Sequence, residues 1–139
     1  MTMYEFSYNL TKELSKADRK ALEKDANDNW QAGEYLICDD TTADDQTQDS
    51  ISELLWAFKP EFLASCTGLP IVIFEKLAEL SEDSQSAIRA LVDVTCGLPH
   101  LIKEAVSSDG RGHFLSSYDG NELEYRTKSG RIVYIYRTN

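Results

Sequence analysis

Arg131-Ile132-Val133-Tyr134-Ile135-Tyr136-Arg137 is the stretch that decides the fold. Ile132, Tyr134 and Tyr136 alternate with Val133 and Ile135, so β-branched and aromatic side chains occupy both faces. Such a strand reads as central, or covered on both sides. From Gly110 onward the same period of two predicts two more strands, His113 to Tyr118 and Asn121 to Arg126. Asp119-Gly120 and Ser129-Gly130 fall where hairpin turns need positive φ. These three strands read as an antiparallel meander. At the other end of the chain, Tyr4, Phe6, Tyr8 and Leu10 alternate with Glu5, Ser7 and Asn9. That pattern predicts a half-buried strand over residues 2–10, a candidate fourth member of the sheet. Glu34 to Cys38 is a further short strand candidate.

Between these ends the apolar period is helical. Ser15 to Asn29 reads as a helix with a thin, alanine-rich stripe through Ala17, Ala21 and Ala26. Ser50-Ile51-Ser52-Glu53 has the form of a capping box, and Ile51, Leu54, Leu55 and Phe58 follow at helical spacing. Pro60 stops that run and opens the next helix, with Phe62, Leu63 and Cys66 inward and Gly68 as its left-handed cap. Pro70 restarts the chain. Ile71-Val72-Ile73-Phe74 with Leu77, Ala78 and Leu80 is apolar nearly all round and is expected to be the most buried helix. Ala87, Ile88, Leu91 and Val92 mark another helix, and Leu101, Ile102, Ala105 and Val106 the last one. Cys66-Thr67-Gly68-Leu69-Pro70 echoes Thr95-Cys96-Gly97-Leu98-Pro99, which is shared turn chemistry between packed helices. Residues 39–49 hold Asp39, Asp40, Asp44, Asp45 and Asp49 with no large apolar side chain, and read as an exposed acidic loop. The expected fold is a single α+β domain over residues 1–139, a layer of about five helices on the small antiparallel sheet.

The chain has 139 residues, 24 acids against 14 Lys plus Arg, a net charge of −10 and a pI of about 4.6. Residues 1–50 carry 12 acids and 5 bases, residues 51–108 carry 8 and 4, and residues 109–139 carry 4 and 5. An acidic body repels phosphate backbones, so duplex nucleic acid is not an expected partner. A basic protein surface is. No apolar run is long enough for a membrane helix, and residues 1–10 lack the basic and apolar regions of a signal peptide, so a cytoplasmic location is expected. Three widely spaced cysteines, Cys38, Cys66 and Cys96, suggest reduced thiols. Asp25-Ala26-Asn27-Asp28-Asn29 begins like a calcium loop, but Trp30 and Leu36 stand where it needs Gly and Glu. No metal or cofactor is expected. His100, His113 and Arg111 are the only seed for a catalytic site and match no catalytic motif, so an enzyme is the outlying reading.

Tyr118, Tyr125, Tyr134 and Tyr136 interleave with Arg126, Lys128, Arg131 and Arg137. This pattern suits strand packing, a protein-binding face or single-stranded RNA; the acidity of the chain and the lack of an RNA-binding motif weigh against RNA. The stretch Gly110-Arg111-Gly112-His113-Phe114-Leu115-Ser116-Ser117-Tyr118-Asp119-Gly120-Asn121-Glu122, with the ending Tyr134-Ile135-Tyr136-Arg137-Thr138-Asn139, resembles the endings of small phage and prophage proteins. In size and acidity the chain is similar to counter-defence proteins of the anti-CRISPR and antirestriction kind. The resemblance implies a non-enzymatic protein in the host cytoplasm that binds a host protein with a basic surface, such as a defence nuclease complex, and inhibits or redirects it. Asp39, Asp40, Asp44, Asp45 and Asp49 are the expected contacts, with Tyr118, Tyr134 and Tyr136 as a second candidate face. The alternative is a homo-oligomer that uses the tyrosine-rich sheet as its interface.

Overall fold

The computed structural model describes residues 3–6, 16, 17, 20, 34–126 and 130–138. The protein is α+β. It divides into two compact units, Met1–Thr47 with Arg111–Asn139, and Gln48–Gly110.

The first unit is built on a four-stranded sheet of β1 (Met3–Phe6), β2 (Glu34–Cys38), β3 (Leu123–Arg126) and β4 (Ile132–Arg137) in the order β1-β2-β4-β3. β1 runs parallel to β2, and the other two pairings are antiparallel. β4 is central, as its two-sided apolar pattern requires, with Val133, Ile135 and Tyr136 buried. Its second neighbour is β2, whose Leu36 faces Tyr136 and Ile37 faces Ile135 in register. The N-terminal strand joins the sheet through Met3–Phe6; the rest of its expected span lies outside the described residues. Of the expected helix over 15–29, residues 16, 17 and 20 are described and helical.

The C-terminal segment is a hairpin preceded by a helix, which corrects the expected three-strand meander. Arg111–Leu115 is helical, so His113 to Tyr118 is not a strand. Gly112 explains the difference. A Cβ there would lie 2.6 Å from the Gly120 carbonyl oxygen and 2.8 Å from the Glu122 nitrogen. The helical turn packs backbone against backbone on the approach to β3, which a period-of-two reading of side chains does not register.

The expected acidic loop over 39–49 is also corrected: Asp40–Glu53 is one helix, α1. Asp39 caps it. Its Oδ1 accepts the Thr42 N–H at 2.7 Å and its carbonyl accepts the Ala43 N–H at 3.0 Å. Acids in the opening turns also suit the positive end of the helix dipole. Ala43, Thr47 and Ile51, each four residues apart, are fully buried. The small Ala43 and Thr47 side chains let this part of the helix sit close. Ala43 packs in a cluster with Cys38 and Tyr136, flanked by Leu36, Leu115 and Tyr134. Ser50-Ile51-Ser52-Glu53 is therefore the last turn of α1 and opens no new helix.

The second unit is helical. After a 3-10 turn at Leu55–Ala57 come α2 (Pro60–Thr67), α3 (Ile71–Ala78), α4 (Gln85–Val94) and α5 (Leu98–Asp109), with a second 3-10 turn at Ser81–Ser84; Arg111–Leu115, of the first unit, is α6. Punctuation falls where the residues demand. Lys59 is extended before Pro60, Gly68 adopts φ 75°, and Gly97 adopts φ 84° before Pro99. Gln85 ties the unit together, accepting the Trp56 N–H at 3.1 Å and donating to the Ser52 carbonyl at 2.8 Å. That second bond satisfies a carbonyl that the end of α1 leaves open. The expectation that α3 is the most buried helix fails. Phe74 alone is buried in it, while Ile71 is 40% and Val72 53% exposed, and Leu80 just beyond is 53% exposed. A helix that is apolar all round still turns outward whatever its neighbours do not cover.

Candidate functional site

Three carboxylates of the first unit converge on Arg111, the first residue of α6. Its Nη1 donates to Asp40 Oδ1 at 2.8 Å and to Asp44 Oδ1 at 3.0 Å, and its Nε donates to Glu122 Oε1 at 2.9 Å. Asp40 and Asp44 are one turn apart on α1, so one guanidinium reaches both. The Arg111 side chain is only 12% exposed, whereas Asp40 and Asp44 stay 67% and 55% exposed. The guanidinium also lies over the Tyr134 ring, 4.6 Å from its centroid. Partial burial works against its charge, but the bonds to Glu122 and Asp40 outweigh that and raise its pKa.

Beneath this ion cluster lie two neutral acids. The Tyr136 hydroxyl donates to Glu122 Oε1. Burial, then this hydrogen bond, raises the Tyr136 pKa well above the ordinary phenol value. Burial also pushes the Cys38 thiol up to about 12, with the Asp39 charge adding to it. A thiol held in this way is a packing group and a poor nucleophile. Beside the cluster, Arg131 Nη2 reaches Asp39 Oδ2 at 3.5 Å. At the far end of β4, Ser116 Oγ lies 2.6 Å from the Arg137 carbonyl and 2.8 Å from Asp119 Oδ1. The Asn121 N–H and Ser116 hydroxyl hold the Asp119 carboxyl below the usual range.

The candidate residues therefore divide. Asp39 caps α1 and meets Arg131. Asp40 and Asp44 are oriented by Arg111 yet open to solvent. Asp45 and Asp49 are exposed on α1. Tyr136 is buried and Tyr134 half-buried under Arg111, so both have internal roles. Tyr118 is 58% exposed, with the Arg137 guanidinium 3.7 Å from its ring centroid. Arg111 and Glu122 organise the site, and composition did not mark them. The available signal was spacing: Asp39 three residues before Thr42, and Ala43, Thr47 and Ile51 at every fourth position, which is a capped helix carrying acids outward.

The charged groups of the arrangement are paired with one another. Arg111 is engaged by three carboxylates, His113 is exposed with its ring edge-on to Phe114 at 4.9 Å, and His100 lies exposed in the first turn of α5. Among the described residues there is no group of three or more His, Cys, Asp or Glu side chains placed to hold a metal ion. No helix among them is long and apolar enough to cross a membrane. The chain matches no family model, no curated protein and no solved structure.

Proposed function

We propose that this is a non-enzymatic interaction protein that captures a basic surface of a partner protein through the acidic opening of α1. One observation carries the reading. Arg111 fixes Asp40 and Asp44 in place while more than half of each side chain stays open to solvent. Three carboxylates on one guanidinium leave the cluster negative, and Asp45 adds a further exposed charge. Carboxylates held in advance cost less side-chain entropy on binding than free ones. A helix also presents them in a defined order, which favours a specific cationic partner. The resemblance of the C-terminal stretch to phage proteins supports a host protein as that partner, with inhibition or redirection as the outcome. The homo-oligomeric alternative is weaker, because the tyrosine face it needs contributes Tyr118 alone as an exposed ring among its three candidates.

The test is capture from bacterial lysate by the immobilised chain over a salt series, comparing the natural sequence with the Asp40→Asn/Asp44→Asn/Asp45→Asn/Asp49→Asn variant. The proteins retained by the natural sequence should be lost from the variant, and their retention should weaken steeply with salt. Equal retention by both proteins overturns the reading.

A further inference from the structure

The second unit carries a groove between α3 and α4 of about 640 Å³, lined by Val72, Ile73, Leu77, Ala87, Ala90 and Leu91 and by the stem of Lys76. By helical spacing, two further exposed apolar side chains fall in line with its walls. Leu80 continues the α3 side at 53% exposure, and Val94, one turn beyond Ala90, is 78% exposed. Contiguous apolar surface of this kind marks a docking site. Charge borders it. On α3, Glu75 and Glu79 stand exposed on the flank beside Val72; on the α4 side, exposed Asp83 precedes Ala87 by one turn and Asp93 flanks Ala90. Lys76 pairs with Glu79 at 3.8 Å and Arg89 with Asp93 at 3.1 Å, so these charges are matched and Glu75 and Asp83 supply the excess. The floor is apolar and the border is net negative.

We propose that this groove receives an amphipathic helical segment of a partner protein, its apolar stripe laid between α3 and α4 and its Lys and Arg residues against the acidic border. Apolar anchors spaced for a helix fit a trough between two helices, which is a recurring mode of peptide recognition. Charge complementarity selects the occupant. A second copy related by a twofold axis would bring one acidic border against the same border. An anionic lipid surface would meet the same repulsion. A small apolar ligand would remain partly in water, because the groove is open to solvent. The inference rests on the side chains of α3 and α4 and uses none of the α1 acids.

The experiment is fluorescence anisotropy of three labelled 14-residue peptides titrated with the full chain at near-physiological salt. The first carries leucines at i, i+3, i+4 and i+7 with lysines between them. The second replaces those lysines with glutamates, and the third scrambles the first. The first should bind at least about tenfold more tightly than either of the others. Val72→Asp/Ala90→Asp should weaken it by a similar factor although the variant is more negative. Both groove positions are exposed, so the fold should tolerate the change, and the comparison of peptides needs no variant. Equal binding of the first and scrambled peptides would reduce the effect to bulk charge and overturn the proposal. So would a groove variant that binds as well as the natural chain, or a dimer of the natural chain that Val72→Asp disperses.

Discussion

The first unit pairs charges over its sheet and hides its apolar strands, whereas the second turns apolar side chains outward around a neutral interior. In the first, Arg111 gathers Asp40, Asp44 and Glu122 over the sheet, and β2 and β4 bury Tyr35, Ile37, Val133 and Ile135. In the second, Leu63, Phe74, Ile88, Val92, Leu101 and Ala105 supply the core, and Ile71, Val72, Leu80 and Val94 are left outside it. A sheet strand with apolar side chains on both faces must be covered on both. A short helix needs only one face covered, and its other face is free to serve a partner.

The widest gap should appear within α3 itself. Phe74→Ala should cost about 4 kcal/mol, because it empties a buried aromatic site, while Val72→Gln should stay within about 0.5 kcal/mol. Urea denaturation of both variants measures this, and equal losses would mean that the outer face of α3 is structural. Next comes Arg111→Met, expected to cost about 2 kcal/mol. It leaves Glu122 with the Tyr136 hydroxyl but no cation and unpairs Asp40 and Asp44; the solvent exposure of those two aspartates keeps the loss below that of a fully buried pair. A loss under about 0.5 kcal/mol would reduce the cluster to surface decoration.

The smallest effect is a slope. The Cys38 thiol has its pKa raised from 9.0 to about 12 in the folded chain, and that of Tyr136 is raised as well. Above pH 9 the unfolded chain sheds the thiol proton while the folded chain keeps it. The contribution is therefore whole below pH 9 and is lost as pH rises toward 12, at up to about 1.4 kcal/mol per pH unit. Cys38→Ala should flatten this slope between pH 9 and 10, before the tyrosine adds its own. An unchanged slope would mean that the thiol ionises freely in the folded state.

Much of the second unit was legible residue by residue. Pro60, Gly68, Pro70, Gly97 and Pro99 bound its helices because each restricts or frees φ in a way that neighbours cannot override. β4 was equally plain. α1 was missed because the first two residues of its buried stripe, Ala43 and Thr47, are small and register weakly on any hydrophobic scale, while its four aspartates and the capping Asp39 dominate the composition. α6 was missed because what fixes it is the approach of Gly112 to the Gly120–Glu122 backbone, a contact between positions about ten residues apart in the chain.

The amino-acid order alone determined the turns, the central strand and the sign of the charge, since these follow from local φ restrictions, side-chain alternation and the count of ionisable groups. Tertiary structure decided which carboxylates Arg111 would orient, which tyrosines would be buried and which face of α3 would be left bare. Those outcomes depend on what each element meets in space, and a side chain's pattern states what it can pack against without stating what will arrive.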